Sequence, residues 1–564
     1  MKRNQIVKLN NISMKHTLRT SITYIIMLAV MTSWAQKQKA DLIVHNAKIY
    51  TVNENFDIQT SFAVKDGKFI GVGNSQDILN LFDANETIDA NGMIIYPGFN
   101  DGHSHFLGYG LVKTTYADLV GTTSFEEVIE RVKEHHQSYP GEWILGRGWD
   151  QNDWPVQEFP VKDKLDAAFP NNPVVLRRID GHALIANTEA MRRAGITKSS
   201  KADGGEVILK NGEPTGVFID KAMSLILVSV PKPGLEQQIA ALEIAEKDCF
   251  AVGLTTVTDA GLSKQEILLI DSLQKADKLN MRVYAMLDPS EENFEYFLSQ
   301  KPIFTGKLTV SSVKLYIDGA LGSRGALLLE PYSDDPGNFG LQLNPELYYY
   351  DVCSRVYNAG YQVNTHAIGD SGNRIMLKTY AQFLEGTNDR RWRVEHAQIV
   401  HPDDFEYFKK YNIIPSVQST HCTSDMYWAD ERLGKERIKT AYAYKELLIQ
   451  NGWLVNGTDF PVEGISPLRT FYAAVARKDA EGWPEEGFQM ENSLSREEAL
   501  RSITIWPAKG SFEEDYKGSI EPGKVADFVI LKEDIMEIDE IEIFSTPIVA
   551  TYLNGESVYQ ADMR

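Results

Sequence analysis

Gly98-Phe99-Asn100-Asp101-Gly102-His103-Ser104-His105 is the stretch on which the reading of this chain turns. It follows an apolar run over 94–99 that reads as a strand, and it ends in two histidines two positions apart. In extended chain such residues point the same way, so both imidazoles can reach one metal ion. A lone His-x-His proves little, but other ligand-type side chains close other apolar, β-branched runs. Lys314 lies in 312–318, His366 ends 362–366, His396 ends 392–396, and Asp459 follows 453–457. With 254–259, 281–287 and 413–419 these make eight candidate strands separated by helical stretches. That is the rhythm of an α/β fold, a (β/α)8 TIM barrel. The C-terminal ends of barrel strands converge on one face, which would gather those side chains. Of the 11 histidines in the chain, four stand at these positions.

One connection does not fit the rhythm. Roughly 150 residues separate the first strand from the second, whereas βα connections are normally short. This insertion, about 107–250, must fold as a subdomain, and it would cover the barrel mouth. Residues 36–98 carry alternating runs over 42–52, 61–72 and 87–99, divided by the turn signals Lys65-Asp66-Gly67-Lys68 and Ala90-Asn91-Gly92. They read as hairpins. Within 516–564, Gly518-Ser519-Ile520-Glu521-Pro522-Gly523-Lys524 leads into the run 525–531, and a hairpin over 548–560 turns at Asn554-Gly555. Neither end is long enough for a stable sheet domain alone. The two are therefore expected to combine into a small β-sandwich, beside a barrel over 99–465 that is completed by helices over 466–515.

The chain has 564 residues, 43% of them hydrophobic, so it can bury cores along nearly its whole length and form two structural units. The 78 Asp plus Glu against 57 Lys plus Arg leave a formal charge of −21. Such a charge repels nucleic acid and anionic membrane surfaces, and no nucleic-acid partner is expected. Lys2, Arg3, Lys8, Lys15 and Arg19 precede an apolar run over 22–31, and Ser33-Trp34-Ala35 follows. This is the pattern of a secretory signal peptide over 1–35. The run is too short for a membrane span, which needs about 20 apolar residues. Export to the periplasm or the medium is expected, without stable membrane insertion after cleavage. Cys249, Cys353 and Cys422 are far apart, with no Cys-x-x-Cys spacing, and read as buried thiols. Homo-oligomerisation stays open.

Several fragments occur together and in order: Gly98 to His105 as quoted, Val313-Lys314-Leu315-Tyr316-Ile317-Asp318-Gly319, Thr365-His366-Ala367-Ile368-Gly369-Asp370, Val394-Glu395-His396 and Gly457-Thr458-Asp459-Phe460-Pro461. The set resembles the amidohydrolase superfamily, and more narrowly its amidohydrolase-3 branch, which includes N-substituted formamide deformylase. The resemblance runs from about Asp41 to the C-terminus. It takes in Gly146-Arg147-Gly148-Trp149-Asp150 and Asp180-Gly181-His182 of the insertion. It implies a barrel beside a β-sandwich, a zinc-type centre, and hydrolysis of an amide or related C–N bond. Carried over residue by residue, it implies His103, His105, His366, His396 and Asp459 as metal ligands. Neutral imidazole and carboxylate are the donors that a borderline divalent ion such as zinc prefers. It also implies that Lys314 can take up carbon dioxide as a carbamate, a carboxylysine whose anionic oxygens bridge two ions. Otherwise Lys314 would stay protonated beside an acid such as Asp318. The centre would hold one ion or two.

A divalent ion brings the pKa of water down to about 7. Asp459 is then expected to take the proton of the attacking water and pass it to the leaving nitrogen. His182 is a candidate donor to the oxyanion, or else a structural histidine. Trp149 reads as a packing residue or a substrate platform. His421 and Asp425, just past the seventh strand, lie on the correct face to touch a small-molecule amide-type substrate. His135-His136, in a charged helix-like stretch, reads as a solvated face. A mononuclear deaminase of the same superfamily would keep the histidines and the final aspartate but would not need Lys314. A non-catalytic scaffold on the same fold would be marked by missing ligands, and none is missing. A glycoside-cleaving barrel would rely on two flanking carboxylates and has no use for the histidine set.

Overall fold

Eight strands pair side by side, all parallel and in chain order: β1 (Phe99–Ser104), β2 (Leu254–Leu262), β3 (Arg282–Leu287), β4 (Leu308–Tyr316), β5 (Gln362–Ala367), β6 (Arg393–His396), β7 (Ile414–Val417) and β8 (Val455–Asn456). The structure is a computed structural model that describes residues 37–562, so the leader expected over 1–35 lies outside the described residues. The sheet nearly closes on itself. β8 packs beside β1, and just beyond it the Asp459 N–H donates to the His103 carbonyl at 2.8 Å. Both faces of such a sheet are covered, which is why its strands are runs of buried residues such as Val283, Ala285 and Leu287 rather than alternating patterns. Helices follow most strands, bounded by local signals. Lys264–Lys275 starts in a capping box made by Ser263 and Glu266, and Glu346–Ala359 stops where Gly360 turns left-handed at φ 77°. Among the described residues no helix is long and apolar enough to cross a membrane.

The run over 94–99 is not one strand. Ile94–Pro97 pairs with Lys48–Tyr50 and with Phe528–Leu531 in a separate sheet, and β1 begins only at Phe99. Pro97-Gly98 divides the two. Pro97 has no N–H to continue a ladder, and a Cβ at Gly98 would collide with Thr255 of β2. An unbroken apolar run conceals the change of sheet.

Between β1 and β2 lies a six-stranded sheet in the order Gly205–Lys210, Glu213–Asp220, Ala183–Ala186, Val174–Arg178, Ile144–Trp149, Ala117–Asp118. One face packs around Trp149, Leu176 and Val217, the other around Leu184, Phe218 and Met191. Two more sheets come from the chain ends. One joins Lys68–Gly73, Ser61–Lys65, Gln38–His45 and Phe82–Asp89. The other carries both Ile94–Pro97 and the C-terminal hairpin Ile548–Leu553 and Glu556–Gln560. Their facing sides share one core, including Phe62, Phe69, Ile95, Phe528 and Ile530. The 61–72 run is the expected hairpin, whereas Phe82–Asp89 runs parallel to Gln38–His45 and is not part of one. Cys249, Cys353 and Cys422 are buried free thiols.

Candidate metal centre and active-site cleft

The C-terminal ends of the barrel strands place His103, His105, Lys314, His366, His396 and Asp459 around one cleft. His103 lies within β1, wholly buried. Its Nδ1 is 2.6 Å from Glu395 Oε2, which also accepts from Ser416 Oγ at 2.6 Å. Burial would raise the Glu395 carboxyl, but His103 beside it outweighs that and holds it low. His103 therefore carries its proton on Nδ1 and turns a bare Nε2 inward, the arrangement in which a carboxylate orients a ligating imidazole. That Nε2 is 3.2 Å from Lys314 Nζ and 3.7 Å from Asp459 Oδ1. His105, just past β1, brings its Nε2 to 3.3 Å from the same oxygen.

On the opposite side, the rings of His366 in β5 and His396 at the end of β6 are 4.5 Å apart, and His396 is 5.1 Å from His103. His421 stacks on His396 and holds its Nε2 3.7 Å from Asp459 Oδ2. Two triplets of donor atoms, His103 with His105 and Asp459, and His396 with His421 and Asp459, each lie within 4.8 Å of one another. Asp459 belongs to both. His421, expected on the substrate side, thus stands where a ligand would stand.

Local structure explains the convergence. Strand alternation would send Glu395 and His396 to opposite faces, but His396 adopts φ 72° and both side chains reach the centre. Asp459 is also left-handed, at φ 60°. It is held there by its N–H on the His103 carbonyl and by Asp101, which accepts from the Thr458 N–H at 3.0 Å and from Thr458 Oγ1 at 2.6 Å. Gly457 permits this close approach, since a Cβ there would collide with the His103 backbone.

The residues fit a bound cation. Asp459 Oδ1, His396 Nδ1 and His421 Nε2 are buried without a hydrogen-bond partner among the described residues, and such atoms are costly to bury unanswered. Burial, then neighbouring positive groups, push the His366 and His396 rings well below the usual imidazole range. Burial and Lys314 likewise lower His103. Neutral rings are the ligating form. Burial alone would raise the Asp459 carboxyl. The His105 ring, 3.3 Å from Oδ1, and the nearby His103 and His421 prevail and hold it well below the usual carboxylate range. Lys314 is wholly buried, and burial pulls its ammonium down to about 8. It is not paired with Asp318, which instead accepts from the N–H groups of Leu327, Ile368 and Gly369 at 2.8–3.0 Å.

The six-stranded sheet roofs the cleft. His182, which precedes Ala183–Ala186, sets its ring 4.9 Å from that of His366. Its Nδ1 is 2.7 Å from Asp220 Oδ1, and Asp220 outweighs burial to raise the ring above the usual imidazole value. Asp425 lines the cleft, accepting from Tyr442 Oη at 2.7 Å and Gln398 Nε2 at 3.3 Å; burial pushes its carboxyl up to about 7. Trp149 is corrected: it is not a platform. Its ring is buried in the core of the roof, with Nε1–H donating to the Leu176 carbonyl at 2.9 Å. His135 and His136 sit on the helix Phe125–Ser138, away from the cleft. Sequence reading passed over Glu395, Asp220, and the wall residues Arg178, Asp150 and Glu463. Glu395 and Asp150 stood inside quoted fragments, the local signal for each, without being given a part. Arg178 is tied to its near neighbour Asp180 at 2.7 Å, to Asp150, and to Gln151 at 2.9 Å, the last two being pairings that no short spacing announces.

Comparison with known proteins agrees with this geometry. Residues 86–559 match the profile described as the amidohydrolase family. The YtcJ protein of Bacillus subtilis is 32% identical, over 92% of this chain and 99% of its own. The N-substituted formamide deformylase of Arthrobacter pascens is 24% identical, over 93% and 99%. Among solved structures, an uncharacterized metal-dependent hydrolase from Pyrococcus horikoshii superposes with a TM-score of 0.73 at 29% identity, covering 88% of this chain and 99% of that one.

Proposed function

The chain belongs to the amidohydrolase family, and from that premise we propose that it hydrolyses a C–N bond of a small-molecule amide, with zinc as its metal. The observation that carries the reading is Asp459: an ionised, buried carboxylate with one oxygen that accepts no hydrogen bond among the described residues, shared by two triplets of donor atoms. His103, His105, His366, His396, Asp459 and Lys314 are the residues that would hold the metal. A bound divalent ion would supply water with a lowered pKa and polarise the substrate carbonyl.

Asp459 is the group to accept a proton from the attacking water and to return it to the leaving nitrogen. His182, whose ring Asp220 raises above the usual imidazole value against the effect of burial, would donate to the oxygen on which charge develops. Lys314 suits carbamate formation. Carbon dioxide reacts with a neutral amine, and a pKa of about 8 leaves roughly a tenth of the amines neutral at pH 7. A carbamate there would add an anionic oxygen donor and favour two ions over one. Asp425 would contact substrate, and His421, a member of one donor triplet that also lines the cleft, would either contact it or join the metal's ligands. The leader over 1–35 goes with an exported, periplasmic or secreted enzyme.

The test is a panel of N-formyl amines, which the deformylase relative suggests first, with N-acyl amines, ureas and cyclic amides. At least one is expected to be turned over, with simple glycosides and phosphodiesters inert. Turnover confined to glycosides would remove the proposal. The mononuclear deaminase reading is separated by counting metal per chain, since it requires one ion and no part for Lys314.

A further inference from the structure

The roof of the cleft contains a second arrangement built around one carboxylate. Glu213–Asp220 and Ala183–Ala186 are antiparallel neighbours, with Ile219 opposite Ala183 and the Asp220 N–H donating to the His182 carbonyl at 2.8 Å. The ladder sets Asp220 beside His182 where the sheet meets the barrel mouth. Asp220 Oδ1 lies 2.7 Å from His182 Nδ1, its side chain is 0% exposed, and its Oδ2 is buried with no hydrogen-bond partner among the described residues.

The slot that holds this carboxylate is shaped by glycine. Gly319 and Gly325, in the segment that follows β4, face it so closely that a Cβ at either would collide with the Asp220 carboxylate. Asp220 also leaves its strand at φ 49° and ψ −125°, a backbone that residues with a Cβ adopt only when their surroundings impose it. An aspartate is thus kept in a strained conformation, in a slot cleared of side chains, and among the described residues its one side-chain hydrogen bond is to the histidine. That contact occupies Nδ1 and leaves Nε2 as the free nitrogen of a ring that lines the cleft and lies against His366.

We propose that Asp220 is a positioning residue which, by accepting the Nδ1–H of His182, fixes that ring so that Nε2 faces the reacting carbonyl. The proposal rests on the reading above in which His182 touches substrate. A carboxylate that only fastened the roof to the barrel would act on stability whether or not His182 was present; a positioning residue acts through it.

The test uses the zinc-reconstituted full chain and the N-formyl amine turned over fastest in the panel. Asp220→Ala is expected to lower kcat by ~10–100-fold while KM moves less than about threefold. Asp220→Asn, whose amide oxygen still accepts a hydrogen bond, should recover part of that loss. In a His182→Ala background, adding Asp220→Ala should change kcat by less than about twofold. Losses that multiply, or an Asp220→Ala enzyme with wild-type kcat, would overturn the proposal. Zinc content and melting temperature are measured on every variant, so a general loss of fold is visible, and Asp220→Asn stays decisive if Asp220→Ala fails to fold. A second arm needs no substrate. In 15N-histidine NMR, with the His182 signals identified by their loss in His182→Ala, Asp220→Asn should shift the His182 Nδ1 resonance. An unshifted resonance counts against the proposal. If no amide is turned over, the hydrolase reading fails, while this arm still decides whether Asp220 sets the state of His182.

Discussion

Asp459 meets two demands that pull apart: as a donor to a cation it must stay ionised, and as a proton carrier it must accept and release a proton. His103, His105 and His421 satisfy the first by holding its carboxyl well below the usual range. Such a group accepts a proton only from an acidified water, which is why the metal and the carboxylate have to act together. Asp459→Asn keeps shape and one oxygen donor but cannot take the proton. Zinc content should stay nearly normal while kcat falls by ~10²–10⁴-fold. Equal loss of metal and activity would mean that Asp459 is a ligand only. Lys314 makes the opposite prediction. Its nitrogen lies 3.2 Å from His103 Nε2, so Lys314→Ala removes whatever donor the lysine provides between the two sides of the centre. Bound metal should drop toward one ion or fewer by elemental analysis, and small carboxylates such as formate should restore part of the activity. Two ions and a near-normal rate in Lys314→Ala would dismiss the carbamate.

At the scale of elements, legibility follows burial. Strands β2 to β8 are readable because a parallel strand covered on both faces must be an apolar run, and their ends come within a few residues of where the runs stop. The same rule misplaces the first strand, since Ile94–Pro97 and Phe99–Ser104 are both buried and read as one. Glu395 escaped because alternation predicts that it faces away from His396, and only the left-handed turn at His396 reverses that. Asp220 escaped because its partner is 38 residues away and is joined to it by a strand pairing, not a motif. The join between β8 and β1 is legible in Gly457-Thr458-Asp459, and it carries a prediction. A methyl group at Gly457 would press on the His103 backbone and on Asp101 Oδ1, displacing both the ligand strand and the anchor of Thr458. Gly457→Ala should destabilise by about 1–3 kcal/mol, the usual result of overpacking a close-packed site, and weaken zinc binding as well. A lower melting temperature with unaltered zinc affinity would show that the join supports the fold but not the centre.

For the molecule as a whole, the barrel mouth is a region where folding and function oppose each other. Asp459, His396 and His421 each bury an atom with no hydrogen bond among the described residues, and three imidazoles are driven toward neutrality beside the wholly buried Lys314. Without a cation, those atoms lose water on folding and gain nothing in return, a penalty of about 1–3 kcal/mol for each. A divalent ion answers them together. The unfolded chain scatters its donors over more than 350 positions, from His103 to Asp459, so the ion binds the folded state almost exclusively and stabilises it by about 2.7 kcal/mol at a concentration 100 times its Kd. Removing metal with a chelator, then removing the chelator, should lower the melting temperature by several degrees and abolish amide hydrolysis. Zinc or manganese should restore both, with the melting temperature rising as the logarithm of free metal. The effect should be larger in wild type than in Asp459→Ala, where one shared donor is gone. A protein shown by elemental analysis to be metal-free, yet melting at the holo temperature and hydrolysing at the full rate, would refute the metal centre and with it the role given to every residue around the cleft.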